Sequence, residues 1–317
     1  MSTSTVNTFL RIEPIDFEPL GIKKNSLKDK VAVITGSASN IGLGYARAVA
    51  WAGGNVVLSD INEDAGKEAM RVINEENQRD AAVFVNCDVT KQEDVKNQAK
   101  TAFDKFGKVD ILVNNAMNMK LNGSILSSTV DDLDQSYYIS GRGVMLAIKE
   151  YVPGMIERKY GVVIFSATQF HYHPPMIGGS IYTAGKAAAA SLVMSLANEL
   201  KDTGVSSFCL TPAGVNRFDA VNPGTPFGRP DIDRKKAKMP GFDGYIPPEV
   251  GGAGLVYSIL NHEKLNGSGF IMNDVLDAMD YPFPVPETAV RNKMHRLSDF
   301  ELTMVLCNMG SAFEGGE

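Results

Sequence analysis

Lys30 to Thr35 (KVAVIT) is a continuous apolar, β-branched run that breaks into Gly36-Ser37-Ala38-Ser39-Asn40-Ile41-Gly42-Leu43-Gly44. YARAVAWAG follows with helical spacing. No other stretch narrows the choice of fold as much. A run that is apolar at every position is a strand buried on both faces, the habit of parallel sheets covered by helices. A glycine-rich turn from strand to helix offers free backbone N–H groups and the positive helix end to an anion. Glycines belong there because side chains would hold a pyrophosphate away from the backbone. Gly36, Ser39, Asn40, Ile41 and Gly42 are therefore candidate phosphate-cradling residues.

The alternation of strand and helix continues along the chain. Asn55–Asp60 (NVVLSD) is a second strand ending in an acid, sixteen positions after Gly44. A carboxylate there accepts hydrogen bonds from both ribose hydroxyls of a dinucleotide and repels a 2′-phosphate, which favours NAD over NADP. Its plain alternative is a surface Asp capping the next helix, over 62–78. A third strand, 82–87 (AVFVNC), leads to Asp88 and Val89, with Thr90 expected as the N-cap of the following helix. Asp88 is placed either to bond an adenine amino group or simply to cap. The fourth strand, 109–113 (VDILV), runs into Asn114-Asn115-Ala116-Met117, short side chains where an open α/β sheet forms its ligand crevice. One long helix is expected over 131–157, with Gly141 and Gly143 allowing close packing. A fifth strand follows over 161–167 (GVVIFSA), with Thr168 at its end. Further strands are expected at 205–211 and 268–273, with a helix at 248–262 between them. The pattern predicts an α/β Rossmann fold, a doubly wound, seven-stranded parallel sheet in one domain over 29–273.

Tyr182-Thr183-Ala184-Gly185-Lys186 begins a helical stretch that runs to Leu200, and residues four apart share one helix face. A free phenol has a pKa near ~10, and an adjacent ammonium favours its ionised form. Tyr182 is thus a candidate acid/base and Lys186 its electrostatic partner. Taken alone, the pair is common on exposed helices; the surrounding pattern gives it meaning.

Net charge is −6 with both signs interleaved, which implies no nucleic-acid surface. Three scattered cysteines without a C-x-x-C pair argue against a disulfide framework or zinc ribbon and suit a reducing cytoplasm. No apolar run reaches the ~18 residues of a membrane span, and the start of the chain is not that of a signal peptide. His171 and His173 lack a Cys or acidic partner nearby, so no metal is expected. The basic run 234–238 (RKKAK) reads as a solvated face. Residues 1–28 read as an N-terminal arm, 274–317 as a C-terminal extension, and the Pro- and Gly-rich insertion 212–247 as a substrate lid.

TGSASNIGLG, Asp88-Val89, Asn114-Asn115-Ala116 and Tyr182-x-x-x-Lys186, in this order, resemble the short-chain dehydrogenase/reductase family over roughly residues 28–273. The resemblance implies a seven-stranded parallel sheet, a dimer or tetramer, a nicotinamide cofactor and a small-molecule alcohol or ketone substrate. It implies catalytic roles for Tyr182, Lys186 and Thr168, with Ser166 the alternative to Thr168, and places Ser140 where many members carry a helix asparagine that supports a relay water. It implies cofactor contacts from the glycine-rich turn, Asp60, Asp88, Val89, Asn115, Ala116, Tyr182, Lys186, Pro212, Gly214 and Val215. Asn40 stands where the motif has its middle glycine, and asparagine is the non-glycine residue that best tolerates positive φ. Met117 replaces the glycine after Asn-Asn-Ala. That feature, with Tyr138-Ile139-Ser140-Gly141, is similar to clostridial-type 12α-hydroxysteroid dehydrogenases and points to a bulky secondary alcohol. A relative that binds NAD(H) only as a sensor or assembly partner is the other reading.

Overall fold

The computed structural model describes residues 17–18, 21–118, 121, 125–168, 179–212, 248–272, 275 and 278–279. Seven strands form one parallel sheet in the order β3-β2-β1-β4-β5-β6-β7: β1 Val31–Thr35, β2 Asn55–Asp60, β3 Ala82–Asn86, β4 Ile111–Asn114, β5 Gly161–Ser166, β6 Val205–Thr211 and β7 Gly269–Ile271. The helices are α1 Asn40–Trp51, α2 Glu63–Asn77, α3 Gln92–Phe106, α4 Val130–Tyr137, α5 Gly143–Glu157, α6 Ser180–Glu199, α7 Pro248–Leu260 and α8 His262–Leu265. The strand order reverses between β1 and β4, so the carboxyl ends of these two strands flank the crevice of a doubly wound sheet.

Alternation along the strands divides the core in two. Ala32 and Ile34 of β1, Val56 and Leu58 of β2, and Val162 and Ile164 of β5 pack with α1, α2 and α7. Val31, Val33, Val57, Val163 and Phe165 face the other way, onto α3, α5 and α6. Both sets are buried, which is why these strands read as unbroken apolar runs. On the first face α1 and α7 cross at backbone contact, since a Cβ on Gly252 would lie 2.3 Å from Gly44 O. Arg47 fastens the same crossing: 3% exposed, it donates to both oxygens of Glu76 at 2.5 and 3.1 Å and to Glu249 at 2.7 Å.

Several elements differ from the sequence expectation. The long helix does run from Val130 to Glu157, but residues Tyr138–Arg142 form a π-helical turn within it. Gly143 fits against Val89 O there, whereas Gly141 meets only ordinary contact. The helix at 248–262 divides at Asn261 into α7 and α8, and β7 spans only three residues. Thr90 is not the N-cap of α3. Lys91 holds that position, because Asp88 Oδ1 draws in Thr90 N at 3.0 Å and Thr90 Oγ1 at 2.7 Å, closing a local turn instead. Among the described residues no helix is long and apolar enough to cross a membrane. Residues 1–16 and 19–20 of the arm 1–28, residues 213–247 of the insertion 212–247 and most of the extension 274–317 lie outside the described residues, as do His171, His173 and the run 234–238.

Candidate active site

The turn from β1 to α1 leaves a helix N-terminus without a side-chain cap. Ser39 flanks the helix in extended conformation without a side-chain cap, and no acidic residue occupies the first turn of α1. By contrast α2 and α4 are capped by Asn62 and Thr129 and carry acids there. Gly36 has φ 64°, and a Cβ on Gly42 would lie 2.1 Å from Gly36 O. Asn40 adopts φ 47°, so it does supply the left-handed conformation in the middle glycine's place. Its Nδ2 donates to Ser39 Oγ at 3.4 Å, while its buried Oδ1 finds no partner among the described residues.

Neighbouring strand ends hold this turn in place. Asn115 Nδ2 donates to Thr35 O at 3.0 Å and Gly36 O at 3.1 Å. Thr35 Oγ1 in return accepts from the N–H groups of Asn115 and Ala116 at 2.9 and 3.0 Å. Asp60 Oδ2 accepts from Ala38 N at 3.1 Å, and Oδ1 from Asn62 N at 3.0 Å. Asp60 thus both braces the glycine-rich turn and leaves a partly exposed carboxylate at the end of β2. Val89 follows β3 and packs on Gly143. Pro212 follows β6 at the same end of the sheet, while Gly214 and Val215 lie outside the described residues.

Helix α6 carries Tyr182 and Lys186 in its first two turns. Its start is docked on α4: Ser136 Oγ donates to Ile181 O at 2.8 Å, and a Cβ on Gly185 would fall 2.2 Å from Ser136 Oγ. The glycine between tyrosine and lysine is therefore where two helices touch. Thr168 is buried and its hydroxyl hydrogen-bonds the Tyr182 phenol. Ser166 and Thr168 share strand parity, so alternation alone would aim both side chains to one face. They part because β5 ends at Ser166. Thr168 reaches Tyr182, while Ser166 contributes its carbonyl oxygen, which accepts from Lys186 Nζ.

Lys186 is 3% exposed, with Nζ 4.7 Å from the Phe165 ring centroid and 5.8 Å from that of Tyr182. Burial drives its pKa down to about 7, with the nearby Cys209 thiol opposing. Burial pushes the Tyr182 phenol up to about 12, and the bond from Thr168 only partly offsets this. In the chain by itself desolvation dominates at the phenol, and the Lys186 ammonium rests on Ser166 O, 5.8 Å from the centre of the Tyr182 ring. Ser140, 1% exposed, sits within the π turn and donates to Met117 Sδ at 3.6 Å, so two departures from the family motif meet in space. Asp88 uses its carboxylate on Thr90 and, at 3.4 Å, on Lys91. Among the described residues no cluster of three potential ligands for a metal comes together.

Sequence reasoning did not find the roles of Thr35, Ser136 and the Ser166 carbonyl. Each acts through a contact 20 to 81 residues away in the chain, which no local pattern carries.

The family described as short chain dehydrogenase matches residues 30–222. "Short chain aldehyde dehydrogenase 1" of Euphorbia lathyris is 33% identical over 215 residues, covering 67% of this chain and 72% of that protein. Among solved structures, a 7α-hydroxysteroid dehydrogenase complexed with NADH and 7-oxo glycochenodeoxycholic acid superposes with a TM-score of 0.68 at 26% identity, covering 78% of this chain and 94% of that one. L-sorbose reductase from Gluconobacter frateurii, complexed with NADPH and L-sorbose, gives a TM-score of 0.69 at 25% identity, covering 78% and 97%.

Proposed function

The chain belongs to the short-chain dehydrogenase family and is an oxidoreductase, and from that premise we propose that it interconverts a bulky secondary alcohol and its ketone with NAD. The observation that carries this reading is the hydrogen bond between Thr168 and Tyr182, with Lys186 one turn further on, at the sheet end that holds the glycine-rich turn. The site fits a dinucleotide: an uncapped helix start without acids suits a pyrophosphate, and Gly36 and Gly42 let the turn before it fold tightly against Asn115 and Ala116. Gly36, Ser39, Asn40, Ile41 and Gly42 hold the phosphates, Asp60 the adenosine ribose, Asp88 and Val89 the adenine side, and Asn115, Ala116 and Pro212 the remainder. When bound, the nicotinamide supplies the hydride acceptor or donor and, when oxidised, a positive charge.

Thr168 orients the substrate oxygen, and Tyr182 takes its proton in the oxidation direction or returns it in reduction. Lys186, with a pKa of about 7, supplies positive charge beside Tyr182 in part of the molecules at neutral pH and can bond the second ribose. Burial holds the phenol at about 12, and an oxidised nicotinamide bound beside it would supply further positive charge that favours its ionisation. A bulky apolar substrate such as a hydroxysteroid is favoured by the connection leaving β4, whose Ile125 and Leu126 are 69% and 99% exposed, and by the thioether of Met117. Asp60 favours NAD over NADP. Exposed Tyr137, Tyr138, Met145 and Leu192 on α4 to α6 give a face on which copies of the chain pair as a dimer or tetramer. A cytoplasmic location suits the cysteine usage.

The second reading, a cofactor-binding sensor, draws on Ser140 being engaged by Met117 rather than free to hold water. An absorbance screen linked to NAD(H) over hydroxysteroids, cyclic ketones and acyl ketones, repeated with NADP(H), separates the two. Turnover that Tyr182→Phe reduces by ~10²–10⁴, with NADH binding retained, supports the enzyme. Binding without turnover across the panel supports the sensor.

A further inference from the structure

Three neighbouring strands end side by side on the α5 side of the sheet. Thr35 continues the register of Val31 and Val33 in β1, Asn114 that of Leu112 in β4, and Phe165 that of Val163 in β5, so all three side chains face the second core layer. The π turn passes opposite them, with Ile139 and then Gly143 turned to the strand ends. Between the turn and the strands lies a small cavity, whose lining includes Thr35, Asn114, Val89 and Gly143. Traced by the centre of a water molecule it measures about 10 Å³, the room of a single water.

Three polar groups border this space with hydrogen-bonding capacity to spare. Asn114 is 5% exposed, and its Nδ2 donates to no acceptor among the described residues. Thr35 Oγ1 accepts two N–H groups, while its own proton is directed at Val113 O over 3.5 Å, long for an O–H···O bond. Val89 O is turned to the wall formed by the π turn, since a Cβ on Gly143 would lie 3.1 Å from it. A buried amide without a partner is costly, and a leucine at 114 would carry no such cost. Two donors and an acceptor around room for one water are the surroundings in which a buried water makes its usual three or so hydrogen bonds.

We propose that the cavity is a site for one structural water, which accepts from Asn114 Nδ2 and Thr35 Oγ1 and donates to Val89 O, and that Asn114 acts through it as a positioning residue for the adenine side of the cofactor. The stretch from Asp88 to Lys91 lies between β3 and α3 and belongs to neither. Asp94 holds it at Asp88 N and Arg142 at Thr90 O, while Val89 O between them accepts no hydrogen bond among the described residues. The water supplies that bond and ties Val89 to the central strands β1 and β4. The binding consequence rests on the reading above that places Val89 beside the adenine; the water site itself does not.

The test is a set of crystal structures that resolve waters, without cofactor and with NADH, for the wild type, Asn114→Leu and Gly143→Ala. In the wild type a water stands within hydrogen-bond distance of Asn114 Nδ2 and Val89 O in both states. Leucine displaces it from the amide side. The alanine methyl, aimed at Val89 across the cavity, displaces it from the facing wall with Asn114 intact, and keeps the test open should Asn114→Leu not fold. Both variants bind NADH about three- to tenfold more weakly in fluorescence titration, one hydrogen bond's worth. The loss appears in Kd and KM for the cofactor more than in kcat, and the double variant binds no worse than the weaker single one. No water at the amide in the wild type overturns the proposal. So does a cofactor atom in the water's place, which would make the cavity part of the dinucleotide crevice. Unaltered NADH affinity in variants that have lost the water overturns the positioning role. Should the wild type bind no NADH, the dinucleotide reading fails, and the density at Asn114 in the cofactor-free crystal alone decides the water site: a water sustains it and none removes it.

Discussion

Replacing Gly185 by alanine probes the point on which the active-site helix is seated. The new Cβ would lie 2.2 Å from Ser136 Oγ and 2.7 Å from Ser136 O, where ordinary contact begins at 3.4 Å. The hydroxyl must retreat by 1.2 Å and the carbonyl by 0.7 Å. The hydroxyl can rotate, but only by leaving Ile181 O, a bond of about 1 kcal/mol. The carbonyl belongs to the backbone of α4, so the helices must separate at a typical overpacking cost of ~1–3 kcal/mol. Alanine returns ~1 kcal/mol of helix propensity. The balance is a loss of ~1–3 kcal/mol, seen as a thermal midpoint lower by several degrees at about 2–4 °C per kcal/mol. Because the crossing lies between Tyr182 and Lys186, kcat/KM should fall on the order of a hundredfold. Circular-dichroism melts and the linked assay measure both. In a Ser136→Ala background the nearest obstacle recedes to 2.7 Å, and Gly185→Ala should do less harm. A Gly185→Ala protein as stable and as active as the wild type would refute the close crossing.

Three further outcomes follow from the buried charges and the turn. Lys186→Met should stabilise the protein while abolishing turnover. The folded lysine has a pKa of about 7 against the ordinary 10.5, so the cost of burying its charge is whole below pH 7 and fades as pH rises between these values. The stabilisation in thermal melts should therefore shrink from pH 7 towards 10.5, and a constant difference would contradict the burial. Arg47→Met leaves Glu249, 7% exposed, without its cation and should cost ~3–5 kcal/mol in urea unfolding; a loss under 1 kcal/mol would mean the ion pairs are not sealed from water. Asp60→Ala removes the carboxylate that meets Ala38 N. It should weaken NADH binding and narrow the preference over NADPH by about tenfold, one hydrogen-bonding charge's worth. Fluorescence titration with both reduced cofactors measures this, and an unchanged ratio would remove Asp60 from cofactor choice.

The sheet was legible because strands buried on both faces must be apolar at every position. The runs at 31–35, 111–113 and 162–165 cannot be mistaken for one-sided strands. Asn40 was legible too, since few residues accept its φ of 47°. The cap of α3 was misjudged because Asp88 and Thr90 bond each other, and sequence alone does not rank two competing local turns. The π turn at 138–142 has no local signature; it arises where the helix must meet both Met117 and Val89. The depressed Lys186 and raised Tyr182 depended on burial, which the i, i+4 spacing does not report. The residues behind the site, Ser136 and Thr35, look in sequence like ordinary core or helix positions.

The most direct measurement is a crystal structure of the protein soaked with NAD⁺. The pyrophosphate is expected on the Gly36–Gly42 turn, the adenosine ribose on Asp60, and the nicotinamide ring beside the Tyr182 phenol with its ribose in reach of Lys186 Nζ. A ring lodged away from Tyr182, with the phosphates off the β1–α1 turn, would contradict it.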